Sequence, residues 1–245
     1  MKSSSSEFFN NWSVISSGGS ITKELENMDI ALILEQIKTL PITLKDDKRS
    51  LVKRGVLFET NIVAKQPRDK NRRKWMRFLS LFRQSEAVSA LNTLKKFSTN
   101  DIASVIPIAA MEQRRYGMVT DSWLIYEYRE GTPSTIKNLP AVINELKKLH
   151  RHGFRHDDPN FGNFLLDDSN HLFLIDCKGK KRLGYFSDCF DYLLLSLRNH
   201  GTDINEVIKL ADIKTHSFGF QLARFFYGYK QLRFRLKNFI KQRKN

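Results

Sequence analysis

The sequence predicts an α+β fold of two lobes, a small antiparallel-sheet lobe with one main helix and a mainly helical lobe after it. Three observations predict it. Short alternating runs crowd the chain before Glu127, helical periods dominate it after Ala141, and a polar loop rich in Asp and Asn stands between two regular elements of the second half. With 245 residues, 41% of them hydrophobic, and 18 Phe, the chain can bury a sizeable core. It is read as a single domain over residues 1–245, with lobes at 20–127 and 132–245 and a basic C-terminal helix.

Met1 to Gly19 reads as a loose Ser/Asn/Gly leader, without the apolar run of a signal peptide. Ile30 to Thr39 is amphipathic and reads as a short helix. Ile42–Leu44, Leu51–Phe58 and Ile62–Lys65 are separated by segments of turn composition and predict a three-stranded meander. From Arg72 to Phe97 the period turns helical, with Trp75, Phe78, Leu79 and Phe82 on one face and Ala87, Ala90, Leu91 and Leu94 on another. Val105–Glu112 and Met118–Tyr128 frame a turn at Arg114–Gly117, and GluTyrArgGluGlyThrPro from Glu127 breaks the strand period, which places the lobe boundary there.

Ala141 to His152 predicts a helix with Val142, Leu146 and Leu149 on one face and Gly153 at the C-terminal stop. Beyond the polar loop, Asn163–Leu166, Asp167–Asn170 and His171–Ile175 read as strand, turn, strand, and the remainder from Ser187 is helical. Asp188 and Asp191 open that helical part, where they complement the helix dipole, and one of them is a candidate tether for the loop backbone. No run approaches 18 apolar residues, so no membrane span is expected. Cys177 and Cys189 are too few for a disulfide framework, which favours a reducing compartment, and Cys177 is expected to be a buried thiol. His150, His152 and His156 straddle a helix end and do not predict a zinc site.

The residues from His156 to Asn163 fit HxDxxxxN, and 18 residues after Asp158 an apolar strand ends in Asp176. Phosphoryl transfer needs this set: one carboxylate to align and deprotonate an acceptor hydroxyl, and an amide and a second carboxylate to hold magnesium on nucleotide phosphates. Asp158, Asn163 and Asp176 fill those places in turn. A polar loop beside a helix end also holds such residues merely to satisfy backbone groups, but the order helix, loop, hairpin, Asp176 and then Gly179 favours the chemical reading. Upstream, Lys65 ends IleValAlaLys, and Glu86 lies 21 residues on in a helical segment, which meets the requirement for a phosphate-binding lysine and its acidic partner. The plain alternative is a solvated strand-end lysine and an ordinary helix-surface acid.

Three segments carry a family resemblance: AlaLysGlnProArgAspLysAsnArgArgLysTrpMetArgPheLeuSerLeuPhe from Ala64, SerTrpLeuIleTyrGluTyrArgGluGly from Ser122, and HisArgHisGlyPheArgHisAspAspProAsnPheGlyAsnPhe from His150. Through them the chain resembles the protein-kinase-like superfamily, and within it the bacterial lipopolysaccharide core heptose kinases of the heptose(II) type. The resemblance implies transfer of the γ-phosphate of ATP to a heptose of the lipopolysaccharide inner core, with ATP and Mg2+ as cofactors, at the cytoplasmic face of the inner membrane. It implies Asp158 as base, Asn163 and Asp176 as metal ligands, Lys65 on the phosphates with Glu86 as its partner, and Glu127 and Tyr128 in a hinge near the adenine. It also implies that His156 braces the catalytic loop through hydrogen bonds.

The sequence departs from that pattern in three places. Lys45 to Ser50, where a phosphate-covering loop is expected, contains no glycine. Asp176 is followed by Cys177, Lys178 and Gly179 rather than by Phe and Gly, and Asp157 stands next to Asp158, where it either binds substrate or faces Arg155.

A formal charge of +15 and a pI near 9.8 call for an anionic partner. Basic residues concentrate at Lys65–Arg83 and Lys230–Lys244, alternating with large apolar ones as in an interfacial amphipathic helix, and in the terminal segment Leu232, Leu236 and Phe239 share a face. The same alternation suits nucleic acid, but no recognised binding module accompanies it and no nucleic-acid partner is expected. The expected partners are inner-core lipopolysaccharide and an anionic membrane surface, with no protein partner identified. The competing readings are a kinase for Kdo, an aminoglycoside-like molecule or a protein, and a catalytically degenerate kinase-fold scaffold.

Overall fold

A computed structural model describes residues 12–18, 24, 28–68 and 74–242. The chain divides into two compact units, Met1–Glu130 and Gly131–Asn245. The start of the leader, Met1 to Asn11, and the side chains of Leu236 and Phe239 lie outside the described residues.

The first unit is a six-stranded antiparallel sheet with helices against it. Its elements are β1 (Trp12–Ser16), α1 (Ile30–Thr39), β2 (Ile42–Asp46), β3 (Ser50–Leu57), β4 (Thr60–Pro67), α2 (Lys74–Leu79), α3 (Glu86–Thr99), β5 (Pro107–Arg115) and β6 (Met118–Glu127). The sheet order is β1-β5-β6-β4-β3-β2. Ile33, Leu34 and Ile37 of α1 pack with Ile62, Met111 and Trp123 of the sheet in one buried cluster. Gly55 on β3 permits that packing, since a Cβ there would lie 2.7 Å from Leu40 Cδ2.

Two expectations are corrected. The leader contains a strand: β1 pairs with β5 from Trp12↔Gln113 to Ser16↔Ala109, and Trp12 is buried while Ser13 and Ile15 face outward. The helical stretch from Arg72 to Phe97 is not one helix. After α2 comes a 3-10 turn at Ser80–Phe82, Arg83 is extended, and α3 begins afresh behind Ser85, whose hydroxyl accepts from the Val88 N–H. The break has a cause in β5, where the Arg114 guanidinium donates to the Ser80 and Arg83 carbonyls and the Glu112 carboxylate accepts from the Ser85 N–H. Trp75, Phe78 and Phe82 are exposed.

The second unit is mainly helical. Short strands β7 (Thr132–Pro133), β9 (Phe164–Leu166) and β10 (Leu172–Leu174) form one small sheet, and β8 (Phe154–Arg155) pairs with β11 (Lys180–Lys181). The helices are α4 (Leu139–Arg151), α5 (Tyr185–Arg198), α6 (Ile204–Ala211) and α7 (Phe218–Gln242). α4 starts at a Pro in its first turn and buries Val142, Leu146 and Leu149. It stops at Gly153, whose φ of +81° favours a residue without a Cβ. α5 is buried along almost its whole length and packs on α7. A sheet-rich unit followed by a helical one is the predicted α+β class. No helix among the described residues is long and apolar enough to cross a membrane.

Candidate active site

The loop between β8 and β9 is held from outside itself. Asp191 on α5 is fully buried, and its carboxylate accepts from the backbone N–H of His156 at 2.7 Å and of Asp157 at 2.9 Å, with His150 Nε2 at 3.0 Å. A buried carboxylate is tolerated only when its lone pairs are filled in this way. Asp191 is thus the tether, while Asp188 forms a two-pronged pair with Arg182 at 2.7 and 2.6 Å. Further along, Asn199 Oδ1 accepts from the Phe161 N–H and Ser134 Oγ donates to the Phe161 carbonyl. Both ends of the loop are anchored by buried side chains.

What the anchored loop presents is polar and open. Asp158 has 41% of its side chain exposed and places Oδ1 3.1 Å from Arg198 Nε. Asn163 Nδ2 donates to the Asp158 carbonyl at 3.0 Å, which fixes the amide so that its oxygen is the end suited to a hard cation. The Asn163 carbonyl accepts from the Ile175 N–H, which ties the strand end that carries the exposed Asp176 to the same loop. Asp191, Asp176 and Asp158 all act electrostatically on the buried His156 ring. Asn163 thus adjoins Asp158 and the strand end before Asp176, and the side-chain oxygens of Asn163 and Asp176 are donors of the kind Mg2+ takes.

Two neighbours differ from expectation or resolve it. Neither ring nitrogen of His156 has a hydrogen-bond partner. Its ring lies 5.1 Å from that of Phe164, and burial lowers its pKa from the ordinary 6.5 despite the three carboxylates. It braces the loop through its backbone N–H and by packing, not through ring hydrogen bonds. Asp157 faces Arg155, as one reading had it, and also the segment after Asp176: Lys180 Nζ lies at 2.6 Å, Arg155 Nη2 at 3.5 Å and Lys178 Nζ at 3.7 Å. Burial alone raises its pKa, but Lys180, with Arg155 and Lys178, holds the carboxyl below the usual range. Its φ of +70° is left-handed, a conformation rare outside glycine that the Asp191 bond helps to hold. Burial pushes the Cys177 thiol up, and the residue is half-buried rather than fully buried.

Cations crowd this loop. Lys230 on α7 lies 4.5 Å above the Phe190 ring. Burial lowers its pKa, and the positive charges of Arg198, Lys178 and Lys180 add to that lowering against Asp157. Arg198, 40 residues from Asp158 in sequence, gave no signal of its own in the sequence.

The remaining candidates lie in the first unit. Lys65 sits on β4 opposite Val52 of β3 and Leu124 of β6, half-buried. Glu86 is the first residue of α3, which packs against β4. Glu127 ends β6, with its N–H on the Ile106 carbonyl. The Tyr128 N–H donates to the Asn61 carbonyl, and its ring is covered by the Arg54 guanidinium at 3.4 Å. The Lys45–Ser50 turn closes on itself: the Asp47 carboxylate accepts from the Arg49 and Ser50 N–H groups, each at 2.7 Å. Those amides lower the Asp47 pKa, and Lys45 adds to the effect.

No family model matches the sequence, and no curated protein matches it. A solved structure described as "WaaP in complex with acyl carrier protein" is similar in fold, with a TM-score of 0.54 over 91% of this chain and 97% of that one, at 15% identity. The chain has a protein-kinase-like fold. At that identity the likeness is one of architecture.

Proposed function

We propose that this chain is an ATP-dependent phosphotransferase acting on a heptose hydroxyl, that of the second heptose, of the lipopolysaccharide inner core at the cytoplasmic face of the inner membrane. The observation that carries the reading is the loop tethered by Asp191, which carries Asp158 and Asn163, leaves Asp158 open to an acceptor, and bonds through Asn163 to the strand end before Asp176. In this reading Asp158 takes the proton of the acceptor hydroxyl as its oxygen bonds to the γ-phosphorus and ADP leaves. Asn163 and Asp176 would hold Mg2+, which offsets charge on the phosphates. Lys65, supported by Glu86, would orient those phosphates, and Glu127 and Tyr128 would adjoin the adenine. Arg198 keeps the Asp158 carboxylate in one orientation, so most of the catalysis is positioning and electrostatics.

The cations at Arg198, Lys178, Lys180 and Lys230 support an acceptor that already bears carboxylate or phosphate, as the inner core does. The basic segments would meet the anionic surface that carries such an acceptor. The solved structure of similar fold is a complex with acyl carrier protein, so a carrier protein is a candidate partner here too. One observation favours a second reading, a kinase-fold scaffold that binds anionic lipid or nucleic acid without transferring phosphate: the Lys45–Ser50 turn commits its amides to Asp47.

The test is transfer of label from ATP, with Mg2+, to purified core lipopolysaccharide by wild type, Asp158→Ala and Asp176→Ala. Label is expected on core heptose with the wild type only, and Asp158→Ala should lose about 10²–10⁴-fold in turnover while still binding ATP. Near-normal turnover in Asp158→Ala would refute the base. ATP binding without transfer redirects the search to Kdo, aminoglycoside-like or protein acceptors, and absence of ATP binding favours the scaffold.

A further inference from the structure

The first unit carries an aromatic face that its own core does not cover. On α2 and the 3-10 turn after it, Trp75 is 68% exposed and Phe82 81%, with Phe78 exposed between them and stacked on Trp75 at 5.9 Å. At the tip of the β5–β6 hairpin Tyr116 is 82% exposed. The helix and the hairpin tip are one surface. The Arg114 guanidinium donates to the carbonyls of Ser80, Arg83 and Gly117 together, Ser80 Oγ accepts from the Val119 N–H, and Leu81 Cδ2 lies 3.0 Å from where a Cβ on Gly117 would stand. Large aromatic groups left in water at a rigidly built place mark an interaction site.

The charge around the face selects the partner. Among the described residues, Arg77 of α2 and Arg83 after the 3-10 turn belong to the same segment as Trp75 and Phe82. On the hairpin, the Arg115 guanidinium lies 5.5 Å from the Tyr116 ring. Exposed Trp and Tyr beside Arg is the composition that settles at the headgroup level of a bilayer.

We propose that this face, centred on Trp75, Phe82 and Tyr116, docks the protein on an anionic lipid bilayer, with the aromatic side chains among the headgroups and the basic ones on lipid phosphates. The docking stands independently of the phosphotransferase reading. α7 is the rival surface, with Phe225 exposed, but its Phe226 is partly occupied in an edge contact with Phe186 at 5.6 Å.

The chain contains its own probe. Trp12 and Trp123 are buried, so Trp75 is the tryptophan that responds to a change of surroundings. The full chain is titrated, without ATP or acceptor, with phosphatidylglycerol/phosphatidylcholine vesicles and with phosphatidylcholine vesicles, reading emission and sedimentation. Emission is expected to shift to the blue with the anionic vesicles only, and added salt should weaken binding. Phe82→Glu combined with Tyr116→Glu, at sites too exposed to disturb folding, should lower vesicle affinity by about tenfold or more, while Phe225→Glu leaves it within about twofold. Circular dichroism confirms that each variant is folded. Anionic vesicles that sediment the double variant as well as wild type, that fail to shift Trp75, or that lose binding only with Phe225→Glu would each overturn the proposal. So would equal binding to phosphatidylcholine alone.

Discussion

The Lys45–Ser50 turn and the loop from Phe154 to Asn163 both rely on an aspartate to satisfy backbone amides, but the turn uses its own and the loop borrows one. Asp47 accepts from amides two and three residues on. Asp191 accepts from amides 35 and 34 residues away. A loop that spends its own carboxylate on its own backbone has neither amides nor carboxylate left for a ligand. A loop held from a neighbouring helix keeps its own aspartates, and here Asp157 reaches the lysines after Asp176 while Asp158 stays open beside Arg198. Outside tethering spares both aspartates from holding the loop's own backbone.

Removing the tether should have the largest effect. Asp191→Ala leaves the His156 and Asp157 amides and the His150 ring without their acceptor in a buried place. Breaking a buried set of this kind costs about 3–5 kcal/mol. A lower urea midpoint and faster proteolytic cleavage between residues 154 and 163 are the expected results, and turnover should fall with them. A variant unfolding at the wild-type urea concentration would show that the loop is held by something other than Asp191.

A smaller effect is expected at Asp157. Asp157→Asn removes the charge that holds Lys180, Lys178 and Arg155, and with both lysines half-exposed the loss is about 1 kcal/mol at neutral pH. Because the folded carboxyl titrates below its unfolded value of about 3.9, this contribution is complete above that pH and is lost as pH falls through the lower folded value. The stability gap between wild type and variant should be flat near neutrality and close below about pH 4. A gap that persists in acid would mean that side-chain shape, not charge, fastens the segment after Asp176.

The sequence made the local parts of this arrangement readable. β2 to β4 stood out because their separators have turn composition, and α4 because Gly153 closes it. HxDxxxxN was visible because all its residues belong to one short loop. What depends on distant partners was hidden. β1 is five residues whose meaning lies in β5, nearly a hundred positions away. The break before α3 follows from Glu112 and Arg114 rather than from anything between Arg72 and Ser85. Asp188 and Asp191 are equivalent as sequence, and only the packing of α5 on the loop separates the tether from the partner of Arg182. Hydrogen bonds from the His156 ring are expected from the resemblance, but the ring packs on Phe164 and both of its nitrogens lack a hydrogen-bond partner.

The smallest expected effect tests the other half of the comparison. Asp47 is exposed, so Asp47→Ala should leave the stability close to that of the wild type. It releases the amides of Arg49 and Ser50 and removes a negative charge from a turn that, in the phosphotransferase reading, faces nucleotide phosphate. Loss of that surface charge should raise ATP affinity by roughly two- to fivefold, with kcat little changed, measured by titration calorimetry and steady-state kinetics. An unchanged affinity would mean that the turn takes no part in nucleotide binding and that phosphate recognition rests on Lys65, Asn163 and Asp176. A weaker affinity would reverse the argument made for this turn, because Asp47 would then act as Asp191 does, spending a carboxylate to hold a backbone in the shape its ligand needs.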